Sequence, residues 1–432
     1  MKFNKICILG LGYIGLPTAS LFAIHGLDVI GVDINPKVLD TLKEGRLHIK
    51  EDGLDELVRN ALGSGKLDLR LAPDYADVFI IAVPTPIKSD KTADLSMVVS
   101  AAQMILPYLR PGNLVILEST SPPRTTVGLV QPILEQHGLA AGIDFSLAYS
   151  PERVLPGGQL LREMRENARV IGGVDHASAE AGHELYATFV TGEIMLTDAT
   201  TAEMVKLMEN TYRDVNIALA NEFALVSEAV GTNVWEAIEL ANKHPRVKIL
   251  RPGPGVGGHC IAVDPWFLVE VAPDLTPIIR SARTVNDSMP HNVSSHVKQL
   301  VPVGGRVVVL GLAYKANIDD IRESPAIETV KLLISDGFDV RICDPFVSSD
   351  LAHALLGLRL TDIGDAVKDA DCLLLLTEHN VYRHLKPGDY GHLMRTRVVI
   401  DTRGTFDANN WAKAGFEIAI LGRGWKGVAQ FA

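Results

Sequence analysis

The sequence predicts an α/β protein: two doubly wound parallel-sheet domains joined by a central helical domain with one long helix. Three observations carry that prediction. Short apolar runs bounded by turn residues alternate with helical patterns along most of the chain. The opening strand-turn-helix theme returns near residue 304, and between the two copies residues 199–230 contain neither Pro nor Gly. With 432 residues the chain is also longer than one hydrophobic core usually supports. The expected division is 1–198, 199–298 and 299–432.

Taken in order, KICILGLG reads as a buried strand, Ile14 to His25 as a helix, and DVIGVDIN as a second strand ending on Asp33. Gly10, Gly12 and Gly15 form G-x-G-x-x-G at the turn. The first glycine permits the tight turn, the second lets a pyrophosphate approach the backbone, and the third lets helix and strand pack closely. Free N–H groups at the helix start then face the phosphates. A carboxylate at Asp33 can accept the adenosine-ribose hydroxyls and would repel a 2′-phosphate, which favours NAD over NADP. A Gly-rich turn with an incidental acid is the bland alternative, and strand, turn, helix and acid together weigh against it. Further strands follow at 77–86, 113–120, 145–152 and 169–174.

The stretch ATTAEMVKLMENTYRDVNIALANEFALVSEAVG reads as a helix roughly 45 Å long that stops at Gly231. Such a helix is long enough to bridge domains and to pack against a second subunit. Lys206, Asn210 and Arg213 fall on one face of it. A solvated polar stripe fits that spacing as well as an anion site does; the apolar flanks, which predict a largely buried helix, favour the anion site.

Cys7, Cys343 and Cys372 sit in apolar strand-like runs, where a thiol behaves as a small core residue. Cys260 instead lies in GPGVGGHC, where Gly253, Gly255, Gly257 and Gly258 offer backbone N–H groups to a phosphate or an oxyanion. Asp264 follows four residues later. A thiol attacks an aldehyde and not an alcohol, so a cysteine beside a nicotinamide site suggests oxidation through a thiohemiacetal to a thioester. A structural loop thiol is the alternative. The neighbouring His259 suggests a Cys–His pair, but adjacent side chains usually point apart, so a structural or substrate-contacting role is expected.

The last third repeats the opening. GGRVVVLGLAYK, a helix through SPAIETVKLLISDG and DVRICDP place Asp344 as Asp33 is placed, and ADCLLLLTEHN echoes ADVFIIAVPTP. The glycine-poor turn of this second Rossmann-like domain points to a different ligand.

Composition narrows the partners. The balance of 41 Lys+Arg against 52 Asp+Glu repels nucleic acid and acidic membranes. Four cysteines make no disulfide framework, and no metal-ligand spacing is present. The apolar N-terminus carries phosphate-turn glycines where a signal peptide would not, and no apolar run reaches the length of a membrane span. A cytoplasmic protein without metal is expected.

The order GLGYIGLP, VDIN, AVPTP, ESTSPP, YSPERVLPG, the Lys206 helix, GPGVGGHCIAVDPWF and DDIRESPA resembles the UDP-glucose/GDP-mannose dehydrogenase family over essentially the whole chain. Within it, LANKHPRV followed by LRPGPGVGGHCIAVDPWF is similar to the branch acting on UDP-N-acetylmannosamine, ahead of UDP-N-acetylglucosamine and then UDP-glucose or GDP-mannose. The resemblance implies an NAD domain, a central domain forming a homodimer, and a UDP-binding domain. It also implies oxidation of a C6 alcohol to a carboxylate with two NAD, for polysaccharide biosynthesis.

By the same resemblance Cys260 is the nucleophile, Lys206 a proton donor or acceptor, Asn210 its neighbour at the oxyanion, Asp264 an assisting acid, and Glu152 and Thr120 neighbours of the attacking water. Tyr13, Ile14, Asp33, Thr85, Thr126 and Arg322 match cofactor positions. Arg153, Val154, Lys206, Asn210, Arg213, His244, Arg246, Gly257, Tyr314 and Lys315 match substrate positions. Arg403 stands where relatives carry Lys, which retains the charge. Two other classes compete: a two-electron hydroxyacid-type dehydrogenase, which needs neither the cysteine loop nor a second Rossmann-like domain, and a non-catalytic nucleotide sensor, which needs neither Lys206 nor Cys260.

Overall fold

The computed structural model describes residues 3–49, 51–154 and 159–423. The apolar runs form two separate sheets, each in its own compact unit. One unit takes the chain up to Glu209 together with Trp266–Pro273; the other takes Asn210–Pro265 and the chain from Asp274 onward. The Leu-Pro-Gly end of the YSPERVLPG motif lies outside the described residues.

In the first unit the strands are β1 Lys5–Leu9, β2 Asp28–Val32, β3 Leu67–Arg70, β4 Val78–Ile81, β5 Leu114–Leu117, β6 Ser146–Tyr149, β7 Arg169–Gly173 and β8 Ile194–Asp198. Their order across the sheet is β3-β2-β1-β4-β5-β6-β7-β8. The chain therefore winds outward from β1 in one direction, returns, and winds outward the other way from β4. Reversal leaves a crevice at the carboxyl ends of β1 and β4, where ligands of such sheets bind. Register places Leu9 opposite both Val32 and Ile81, so the residues after these strands emerge side by side.

The strands are buried on both faces. Ile6 and Ile8 pack into one apolar layer and Cys7 and Leu9 into the other, as a period of two requires. The helix Gly15–Ile24 covers one face; it carries no charge and buries every residue from Gly15 to Ala23. Phe22 on that helix meets Phe189 edge-on at 4.9 Å between ring centres.

The sheet departs from the expected parallel arrangement at one place. β7 runs antiparallel to β6, pairing Ala148 with Gly173, while β8 is parallel to β7 after a crossover through the helix His176–Tyr186. An antiparallel neighbour needs no crossover helix, so apolar composition alone does not reveal strand direction.

In the second unit β9 Arg306–Leu310, β10 Asp339–Cys343, β11 Cys372–Leu375, β12 Val398–Asp401 and β13 Glu417–Ile420 form a sheet of order β10-β9-β11-β12-β13. Every pair is parallel. The winding again reverses beside the first strand, here between β9 and β11.

The long helix spans Ala199–Val230, and Gly231 ends it with φ of 77°. Its burial corrects the expectation drawn from its apolar residues. Met204, Met208, Tyr212, Leu219, Phe223, Val226 and Val230 are exposed, whereas Glu203, Lys206, Asn210, Asp214 and Asn221 are buried. The helix thus turns its polar stripe inward, where those side chains find hydrogen-bond partners, and its apolar stripe outward. Among the described residues no helix is long and apolar enough to cross a membrane.

Candidate active site

At the end of β1 two of the three glycines, Gly10 and Gly15, are required by contact and not only by turn geometry. Gly10 has φ of 98°, and a Cβ there would lie 2.4 Å from the Ala82 carbonyl oxygen. One at Gly15 would lie 1.9 Å from the Gly10 oxygen, whereas one at Gly12 would meet nothing within 4 Å. Space therefore opens in front of Gly12 alone, the position facing a dinucleotide phosphate. Asp33 sits half-buried at the end of β2, accepting the Leu11 N–H at 3.2 Å and the Asn35 N–H at 2.9 Å. Those bonds hold its carboxylate at the turn. The residues fit NAD, with Tyr13 and Ile14, both half-buried, opening the helix.

Ser119, just past β5, joins the neighbouring strand ends: its hydroxyl accepts the Val83 N–H at 2.9 Å and donates to the Val83 carbonyl at 2.7 Å. Thr85 donates its hydroxyl to the Thr120 carbonyl at 2.6 Å. Thr126 is fully buried, and both its N–H and its hydroxyl donate to one oxygen of Glu203, at 2.7 and 2.6 Å. The other Glu203 oxygen takes the Arg124 N–H at 2.5 Å, and Arg124 adopts φ of 76°. A non-glycine residue in that region is strained. Glu203 thus draws residues 124–126 toward the long helix. Burial, opposed by these hydrogen bonds, raises its carboxyl above the usual range. Sequence reading missed Glu203 because an acid inside a helical pattern looks solvated.

Glu152 follows β6 and is buried. Its Oε1 accepts the Arg153 N–H and its Oε2 accepts Arg169 Nη2, each at 2.7 Å. Its main-chain carbonyl accepts Lys206 Nζ at 2.7 Å, so one residue anchors the ammonium through its backbone and presents a carboxylate through its side chain. The Arg153 guanidinium is already committed, donating to the Ala168 carbonyl at 2.7 Å and pairing with Glu209 at 2.5 Å. Val154 packs against the core of this unit.

In the second unit Cys260 is half-buried in a turn ahead of the helix Asp264–Val271. Its carbonyl accepts the N–H groups of Val263 and Asp264, at 3.0 and 2.8 Å. The other three cysteines are buried, and burial pushes the Cys7 and Cys343 thiols up to about 12 and that of Cys372 higher still. Asp264 accepts the Asn210 side-chain amide at 2.6 Å. Arg213 is half-buried.

The glycine loop before Cys260 is tightly backed. A Cβ on Gly257 would lie 2.6 Å from the Glu323 carbonyl oxygen and 2.7 Å from Tyr314 Cβ, and one on Gly258 would lie 2.8 Å from the Tyr314 ring. The Gly258 N–H donates to the Arg322 carbonyl at 3.0 Å. Gly253 leaves room for Arg403, whose Nη1 would be 2.7 Å from a Cβ there; Arg403 Nε donates to the Leu376 carbonyl and pairs with Glu378, both at 3.0 Å. Arg322 grips Asp320, its Nη2 lying 2.6 Å from Oδ2. Burial would raise the Asp320 carboxyl, but Arg322 and His259 together hold it below the usual range. His244, Arg246 and Lys315 are exposed.

At the turn after β9, Asp344 accepts the Leu312 N–H at 2.7 Å, as Asp33 accepts that of Leu11. Here the carboxylate is closed in by His379, fully buried, whose Nε2 lies 3.1 Å away. Nδ1 of that ring accepts the Asn317 N–H at 2.8 Å, which leaves Nε2 to donate to Asp344. Burial opposes the charge on Asp344, yet His379 and the backbone donors hold its carboxyl low.

Comparison with known proteins matches three profiles of the UDP-glucose/GDP-mannose dehydrogenase family in chain order: NAD binding domain, residues 4–190; central domain, residues 200–288; and UDP binding domain, residues 308–408. The chain is 49% identical over 428 residues to the UDP-N-acetyl-D-mannosamine dehydrogenase of Methanocaldococcus jannaschii, covering 98% of this chain and 97% of that one. It is 48% identical to the NDP-N-acetyl-D-galactosaminuronic acid dehydrogenase of Ralstonia nicotianae, covering 95% and 98%. A solved UDP-D-ManNAc dehydrogenase of Pyrococcus horikoshii superposes with a TM-score of 0.90 at 42% identity, covering 97% and 99%. With its dinucleotide turn, its second Rossmann-like unit and, between these in sequence, the cysteine loop, the chain belongs to the UDP-glucose/GDP-mannose dehydrogenase family of NAD-dependent nucleotide-sugar dehydrogenases.

Proposed function

We propose that the chain oxidises C6 of UDP-N-acetyl-D-mannosamine to the uronate through a covalent intermediate on Cys260. The observation that carries this reading is the contrast among thiols: three are buried, and Cys260 alone is half-buried in a polar turn. The substrate follows from similarity over nearly the whole chain to the Methanocaldococcus protein and the Pyrococcus structure. NAD, held by Gly10, Gly12, Gly15 and Asp33 with Tyr13, Ile14, Thr85, Thr126 and Arg322 contributing, supplies the hydride acceptor for both oxidations.

The chain's own residues do the rest. As C6 loses its first hydride, the hydroxyl proton passes to water, and Lys206 and Asn210, one turn apart on the long helix, take up the charge that develops on the C6 oxygen, leaving an aldehyde. The Cys260 thiolate adds to the aldehyde carbon, and loss of a second hydride leaves a thioester. Water, held by Thr120 and Glu152 with assistance from Asp264, adds to the thioester carbon. Its proton passes to a carboxylate, the C–S bond breaks, and the thiolate leaves. Arg153, Val154, Arg213, His244, Arg246, Gly257, Tyr314, Lys315 and Arg403 bind the UDP-sugar. The segments 1–198, 199–298 and 299–432 serve as the cofactor, central and nucleotide domains of a cytoplasmic enzyme of polysaccharide biosynthesis.

A second copy covers the exposed apolar stripe from Met204 to Val230, whose residues recur at helical spacing over more than seven turns. The proposed assembly is a homodimer formed through that face.

NADH formed per mole of limiting sugar tests the reaction. Two NADH with UDP-N-acetylmannosamine and none with UDP-N-acetylglucosamine are expected. One NADH would remove the covalent step. Turnover of the galactosamine epimer alone would favour the chemistry named for the Ralstonia relative.

A further inference from the structure

A buried cluster lies behind Glu152 and takes no part in the chemistry proposed so far. Arg169, the first residue of β7, is 4% exposed, and Glu118, the residue after β5, is 3% exposed. Arg169 donates Nη2 to Glu152 Oε2 at 2.7 Å, and Nη1 to Ser150 Oγ at 3.1 Å and to Glu118 Oε1 at 3.3 Å. Tyr186 donates its hydroxyl to the same Glu118 oxygen at 2.8 Å, and its ring centre lies 4.2 Å from the guanidinium carbon. Glu118 Oε2 is buried without a hydrogen-bond partner among the described residues.

Two carboxylates here face one guanidinium out of water. Such a cluster balances its charge only when one carboxyl carries a proton. Glu152 meets Arg169 at the shorter distance and is further held by the Arg153 N–H, so Glu118 is the place for that proton, with Oε2 available to carry it. Burial, reinforced by the Glu152 charge and opposed by Arg169 and the Tyr186 hydroxyl, pushes the Glu118 carboxyl up to about 7.

We propose that Arg169 and Glu118 are positioning residues for thioester hydrolysis: Arg169 aims the Glu152 carboxylate, and Glu118, by gaining or losing a proton, sets how completely Arg169 is given to it. When Glu118 is neutral, Arg169 serves Glu152 alone. When Glu118 ionises it shares the guanidinium, and less of that positive charge is spent on the Glu152 carboxylate that takes the proton of water. The titratable groups that act on Glu118 are Arg169 on β7, Glu152 after β6 and Tyr186 on the helix His176–Tyr186. The inference rests on the role proposed for Glu152.

The test is a single turnover of the full-length enzyme with UDP-N-acetylmannosamine and NAD, quenched in acid. NADH, free uronate and sugar bound to the Cys260 peptide are all measured. Arg169→Lys is expected to form both NADH at close to the wild-type rate, to accumulate the Cys260 adduct, and to release uronate about tenfold more slowly. The wild type is expected to release uronate faster as pH rises through neutrality, and Glu118→Gln to keep both KM values within about twofold and to lose that rise. Wild-type release by Arg169→Lys together with a wild-type pH profile in Glu118→Gln overturns the proposal, and so does an equal loss of NADH formation and release in both. If Arg169→Lys does not fold, an unchanged Glu118→Gln profile overturns it alone. Glu152→Gln, run alongside, separates the layers: stalling at the adduct there but not in Arg169→Lys removes the positioning role only, whereas wild-type release from Glu152→Gln removes the role of Glu152 and the proposal with it.

Discussion

Asn210 and Asp264 are joined by a 2.6 Å hydrogen bond from the amide of the long helix to a carboxylate that is 2% exposed. Asp264 in turn gives its backbone N–H to the Cys260 carbonyl at 2.8 Å, so the polar stripe of the helix and the Cys260 turn share one residue. Removing either side chain takes a short, buried hydrogen-bond partner from the other. Asp264→Asn and Asn210→Ala should each lower kcat/KM by roughly ten- to a hundredfold, and a double-mutant cycle should show coupling of about 0.5–3 kcal/mol. Steady-state rates of the two single variants and the double variant check this; strict additivity would deny that the bond matters for turnover.

The contrast among thiols predicts selective labelling. At pH 8 a small alkylating agent should modify Cys260 well before Cys7, Cys343 or Cys372, whose burial keeps them protonated and covered. Peptide mapping after short exposure reads the order. Cys260→Ser should yield no uronate while calorimetry shows NAD and UDP-sugar binding within about threefold of wild type.

Asp33 is held at the turn by two backbone N–H groups, so it needs no rearrangement to meet a ribose. Asp33→Ser should cost NAD about ten- to a hundredfold in kcat/KM and narrow the preference over NADP. The ratio of kcat/KM for the two cofactors is the measurement, and an unchanged ratio would place cofactor choice elsewhere.

Glu118 also sets a stability window. Its carboxyl titrates near 7 in the folded protein against 4.5 when exposed, so the folded state holds the proton more tightly. That contribution is complete below about pH 4.5 and is lost as pH rises through 7. Thermal unfolding between pH 5 and 8 should therefore fall less steeply in Glu118→Gln than in the wild type, whatever the variant's absolute stability.

The outward apolar stripe predicts that Met208→Glu or Phe223→Glu converts the proposed dimer to a monomer. Sedimentation velocity at micromolar concentration decides it, and a dimer that survives both changes would have to use another face.

Much of the scaffold was legible because local chemistry dictates it. Three glycines in a fixed register after an apolar strand can be satisfied by few structures, and contacts of 2.4 and 1.9 Å that a Cβ would make at Gly10 and Gly15 show why. The long helix could be bounded at 199–230 because neither Pro nor Gly interrupts it and Gly231 stops it. Cys260 stood out because the other cysteines lie in apolar runs.

What the sequence by itself determined, then, was the order of elements, the cofactor turn and the residue types gathered around a thiol, since each depends on neighbours a few positions away. Tertiary structure decided which face of the long helix is inside, that β7 runs antiparallel, and that Arg169 and Glu118 stand behind Glu152. These depend on partners 17 to 79 residues away in sequence. A charged residue opening or closing an apolar strand looks like a solvated strand end until folding brings a counter-charge to it, and no local pattern records which carboxylate one guanidinium will meet.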